Sequence, residues 1–234
     1  MTAAKHAGGC RTPGAKRALV IELVGAAGAG KSTLVTELQR RDASVRWLQR
    51  ARAARAGATM RVVPAWLAAA SRAPLGYAWR NARFFLRLAA LEEVVHRAAR
   101  DAAGPVLLEH GPVFTLARLR AFHAGPMPAP LARYAARQLA RWTTMLDLVI
   151  ALDAPLDVLA ARVRTRDKDH AMRESNDEQF GDFVGRYRAA YEAVLAELLA
   201  AGGPPVLTLH SDRETVTAMA DRVQAAFAER RDAR

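Results

Sequence analysis

Cysteine is nearly absent from this chain of 234 residues, which holds only Cys10. An internal disulfide is therefore impossible, which fits a reducing, cytoplasmic setting, and Cys10 itself reads as an inert exposed thiol. No apolar run reaches the roughly 18 residues of a membrane-spanning helix, so no membrane partner is expected. The amino-terminal stretch carries Lys5, His6, Arg11, Lys16 and Arg17 without the apolar segment of a secretory signal. Lysine is scarce too, at positions 5, 16, 31 and 168 only, while arginine and alanine recur throughout. Even so, 35 Lys plus Arg stand against 23 Asp plus Glu, a formal net charge of +12. Such a surplus suits an acidic partner such as nucleic acid. Arginine in place of lysine and alanine in place of serine along the whole chain read instead as compositional bias. Nucleic acid is thus a permitted partner, not the favoured one.

Against this background one stretch stands out. Gly25-Ala26-Ala27-Gly28-Ala29-Gly30-Lys31-Ser32-Thr33 fits G-x-x-x-x-G-K-[ST], the phosphate-binding or Walker A loop. Ala18 to Val24 before it is a short apolar, β-branched run, as a buried parallel strand should be. Leu34 to Arg40 after it is helix-forming. The three glycines allow a tight turn, so that successive N–H groups and the positive end of a helix face a polyphosphate. Lys31 would place a point charge on the β- and γ-phosphates, and the Ser32 hydroxyl is the expected Mg²⁺ ligand. ATP with Mg²⁺ is the expected nucleotide. An Asn-Lys-x-Asp guanine motif is missing, which disfavours a GTPase switch, and so is the Leu-Ser-Gly-Gly-Gln of ABC-type ATPases.

The length suits one α/β domain with a helical insertion. Residues 1–17 are expected to be a disordered basic tail and 18–234 the domain. The second strand is Ser44 to Leu48 or Met60 to Pro64. Residues 65–100 read as helices, in which Trp66, Leu67, Tyr77, Trp79, Phe84, Phe85, Leu88 and Leu91 alternate with Arg72, Arg80, Arg83 and Arg87. That pattern serves core packing or an acceptor surface. Pro105 to Leu108 is an apolar strand that ends in Glu109, and His110-Gly111-Pro112 turns the chain. Ligands of open α/β sheets sit at strand carboxyl ends, so Glu109 is a candidate to hold Mg²⁺ or to accept the proton of an attacking hydroxyl. Asp147 to Asp153 is a further strand, and Asp153, at its carboxyl end, is a metal candidate. Residues 162–174 are charged and poor in apolar side chains, as a mobile cationic lid over phosphates would be. A long amphipathic helix carrying Phe180, Tyr187, Tyr191 and Leu198 follows. A last strand at Val206 to Leu209 and a final helix capped by Ser211 close the chain.

This order of elements resembles the P-loop kinases of the thymidylate kinase and deoxynucleoside kinase type, over nearly the whole chain after residue 17. The resemblance implies a three-layer α/β/α fold with about five parallel strands. It also implies transfer of the γ-phosphoryl group of ATP to a small acceptor. Glu109 falls where that family has the acid of its third strand, which holds the acceptor hydroxyl and the metal. Arg162 and Arg166 look like the family's lid arginines, which with Lys31 and Glu109 would be the catalytic set. Asp153 resembles the acid of its Leu-Asp strand end, and Tyr187 and Tyr191 its aromatic positions after the lid. Two departures stand out. Glu109-His110-Gly111 replaces Glu-Arg-Ser or Asp-Arg-Tyr, so His110 stands where the family grips substrate phosphate with arginine. The loop also lacks the acid typical of thymidylate kinases. The acceptor is therefore nucleoside-like, nucleotide-like or another small alcohol. A homodimer, an ATPase module acting on a protein partner and a polynucleotide 5′-kinase remain open readings. The stretch from His210 to Arg213 is expected to neighbour the nucleotide base.

Overall fold

The computed structural model describes residues 17–48, 52–122, 126–166 and 172–234. Cys10, the expected tail up to Lys16, and the lid centre with Lys168 lie outside these residues. The described chain runs β1 (Val20–Val24), α1 (Lys31–Arg41), β2 (Arg46–Trp47), α2 (Arg52–Ala70), α3 (Leu75–Asp101), β3 (Val106–Leu108), α4 (Pro112–Ala121), α5 (Ala129–Met145), β4 (Leu148–Asp153), α6 (Leu156–Thr165), α7 (Asp177–Ala200), β5 (Val206–His210) and α8 (Val216–Asp232). The five strands form one parallel sheet in the order β2-β3-β1-β4-β5, as expected. Among the described residues no helix is long and apolar enough to cross a membrane.

Strand alternation builds the three layers. From the central strand, Leu19, Ile21 and Leu23 pack under α1, α6 and α8. Val20 and Val24 face the other way, into a core shared with α3, α4, α5 and α7. Glu22 stands between those two valines and is fully buried. At the amino end of the sheet Asp147 accepts the Val20 N–H at 2.7 Å and the Arg17 guanidinium at 2.9 Å, and Arg234 joins it. Arg17 thus belongs to the folded domain, not to the tail.

The structure resolves the second strand as Arg46–Trp47. Met60 to Pro64 lies inside α2, where Pro64 is an interior helix residue. Its β-branched valines had argued for a strand, but α2 packs along α3 and tertiary context overrides that preference. Trp66 is buried and meets Trp79 edge-on at 5.5 Å. Phe85, Leu88 and Val95 are core, whereas Trp79 and Leu67 stay exposed. The final helix is capped by Thr215, which accepts the Ala218 N–H at 3.2 Å, and not by Ser211.

Candidate active site

Val24 ends β1 at the carboxyl edge of the sheet and delivers the chain into the glycine-rich loop. Gly25 has a φ of 139°, and a Cβ there would lie 2.2 Å from the Leu152 carbonyl oxygen of β4. Only glycine lets the loop leave the sheet so close to its neighbour. Gly28 and Gly30 also have positive φ, and α1 begins at Lys31 with its first turn aimed into the loop. A tight turn, Ala29 N–H to Ala26 O at 3.3 Å, completes the cradle.

Lys31 folds back over that cradle and donates to the Gly25 and Ala26 carbonyls at 2.7 and 2.9 Å. Burial lowers its pKa to about 8; Glu109 opposes this and Arg166 adds to it. Ser32 Oγ donates to Glu109 Oε1 at 3.0 Å. The loop hydroxyl and the carboxylate after β3 therefore lie within hydrogen-bond reach of each other. A cavity of about 520 Å³ opens above them, lined by Ala27, Lys31, Thr33, Arg166, Ser211 and Glu214 among others.

Arg162 lines the same cavity. Its Nη1 donates to Ser211 Oγ at 2.8 Å and Gly28 O at 3.3 Å, and its Nη2 to Ser211 O at 2.9 Å. The arginine ties the phosphate loop to the end of β5. Arg166 Nε is buried with no hydrogen-bond partner among the described residues. The carboxyl end of β5 borders the cavity through Ser211 and Glu214, within or next to the stretch expected beside a base.

Asp153 differs from expectation. It is not among the cavity-lining residues, and its Oδ1 accepts from Arg188 at 2.7 Å. Arg188, one turn after the α7 residue Val184, reaches across to β4 and takes up the carboxylate. Sequence reading missed Arg188 because nothing local pairs it with a strand 35 residues away.

Beyond Glu109 the chain builds an aromatic wall. The His110 and Phe114 rings meet at 4.3 Å, and Phe122 stacks on Phe183 at 4.8 Å. Tyr187 and Tyr191 share a hydroxyl hydrogen bond of 3.1 Å, and burial pushes both phenols up. Arg118 of α4 lies over the Phe122 and Phe84 rings, with no carboxylate paired to it among the described residues. Arg87 of α3 donates to the His110 carbonyl at 2.9 Å. The arginines interleaved with aromatics in the insertion therefore split. Phe84 and Phe85 are packed in the core, while Arg83 and Arg87 lie against phenylalanine rings.

No protein-family model matches the chain, and no curated protein matches it in sequence. Solved structures do match in fold. Thymidylate kinase from Candida albicans superposes with a TM-score of 0.58 at 14% identity, over 92% of this chain and 93% of that one. Deoxyadenosine kinase from M. mycoides gives a TM-score of 0.51 at 12% identity, over 90% of this chain and all of the other. The chain has the P-loop kinase fold.

Proposed function

We propose that this protein is a Mg²⁺-dependent phosphotransferase that moves the γ-phosphoryl group of ATP to a small-molecule acceptor, nucleoside-like, nucleotide-like or another small alcohol. The observation that carries this reading is the approach of Ser32 Oγ to Glu109 Oε1, 3.0 Å, beside the phosphate loop. Loop amides, the α1 terminus and Lys31 would hold the triphosphate. Two hard oxygen donors at one point fit Mg²⁺, which takes few protein ligands and leaves the rest to phosphate and water. When bound, the cation neutralises charge on the triphosphate. Glu109 faces the acceptor side and would orient its hydroxyl, while Arg162 and Arg166 would offset charge on the transferred group. Phosphoryl transfer asks for positioning and charge stabilisation above all. His110, Phe114 and Arg118 border the acceptor side, as a wall that stacks a flat group and attracts an anion.

The test is ATP consumption with Mg²⁺, alone and against nucleosides, nucleoside monophosphates, sugars and amino alcohols. ADP release that depends on an acceptor is the expected result. Release without any acceptor would overturn the reading in favour of a partner-coupled ATPase.

A further inference from the structure

Glu22 is the only charged side chain in the fully buried set of the described residues, in the middle of the central strand. An acid in such a place needs partners, and α4 supplies them. Glu22 Oε2 accepts the Val113 N–H at 3.0 Å and Oε1 the Phe114 N–H at 2.9 Å. These are orphan amides of the first helical turn. The helix has no side-chain cap of its own, since its N-cap is Gly111. The cap comes instead from β1.

Two further contacts concern the same turn. A Cβ on Gly111 would lie 2.5 Å from the Glu22 carboxyl carbon, so the side chain fits only because residue 111 has none. Arg87 holds the carbonyl of His110 from α3. In the sheet Glu22 is aligned with Leu108, the residue before Glu109. The segment carrying Glu109 is thus pinned from below by Glu22 and from the side by Arg87.

We propose that Glu22 is a positioning residue of the phosphate-loop site: by capping α4 from within β1 it fixes the Glu109–His110–Gly111 turn, and through it the approach of Glu109 to Ser32. This rests on the Mg²⁺-nucleotide reading given above. The probe is N-methylanthraniloyl-ATP, titrated into the full chain with and without Mg²⁺. Wild-type protein must show binding strengthened by Mg²⁺; without that, the functional reading fails before any variant is made, and this inference falls with it. Glu22→Gln keeps the shape and loses one acceptor oxygen. Its binding without metal should stay within about twofold of wild type, while the Mg²⁺ needed for half-effect rises about tenfold. Gly111→Ala should reproduce the effect with Glu22 intact. In a Glu109→Gln background, Glu22→Gln should add no further change, because it acts through Glu109. An unchanged Mg²⁺ requirement in both single variants would overturn the proposal even if melting temperatures fell. So would an equal rise with and without Glu109.

Discussion

Arg162 Nη1 lies 2.8 Å from Ser211 Oγ, and Nη2 lies 2.9 Å from the same residue's carbonyl. A side chain from α6 and a turn after β5 are thereby locked beside the phosphate loop. A planar guanidinium fork makes both bonds from separate nitrogens in a fixed geometry, which the single ammonium of a shorter lysine does not reproduce. Arg162→Lys should weaken ATP-analogue binding about tenfold, and Ser211→Ala, which spares the carbonyl bond, by a few-fold. Fluorescence titration of both variants checks this. Binding left unchanged in Arg162→Lys would mean that charge alone matters at this position.

Glu109→Gln preserves shape and removes the charge that meets Ser32. Nucleotide binding without metal should persist, while acceptor-dependent turnover falls roughly a hundredfold or more. Steady-state kinetics with the acceptor found in the panel, alongside metal-free binding, measures the split. Turnover near wild type would remove Glu109 from the chemistry.

Burial raises Glu22 to about 7, against the pull of the Phe114, Val113 and Gly111 amides and of Arg87. The native protein therefore binds a proton here that the unfolded chain has released between about pH 4.5 and 7. This contribution to stability is fully present below the unfolded pKa and is lost as pH rises through the folded one. The loss amounts to about 3 kcal/mol at most over that window. The facing groups are Arg87 and the phenols of Tyr187 and Tyr191, which hold their charge states in this range. Urea unfolding of wild type and Glu22→Gln from about pH 5 to about pH 8 should show the variant gaining relative stability with rising pH. A pH-independent difference would contradict the assignment.

Asp147 accepts one backbone N–H and two guanidinium groups at the far edge of the sheet. Asp147→Asn should lower stability by about 1–3 kcal/mol, which for a chain of this size is a fall of several degrees in Tm. Mg²⁺-dependent nucleotide binding should not change, since the site lies at the opposite strand ends. Calorimetry and a binding titration check the two halves.

Much of this molecule could be read along the chain because its cause is local. Gly25 to Thr33 specifies the phosphate loop through glycine spacing, and the apolar runs at β1, β3 and β4 specify buried parallel strands. Glu109 stood out as a candidate because an apolar run ends in an acid. Met60 to Pro64 misled because β-branched residues favour strands until packing on α3 outweighs them. The acid inside the β1 run was a signal left unused, since an isolated carboxyl in a buried strand demands partners that only another element supplies.

What the sequence by itself determined was the glycine-rich loop and the apolar parallel strands beside it, both set by backbone freedom and residue periodicity. What the tertiary structure decided was the company each charge keeps. Arg188 rather than the site took Asp153, Ser211 became the anchor of Arg162, and Glu22 capped a helix 91 residues away. Electrostatic and hydrogen-bond partners are fixed by distance in space, and that distance exists only once the sheet has brought its strands together.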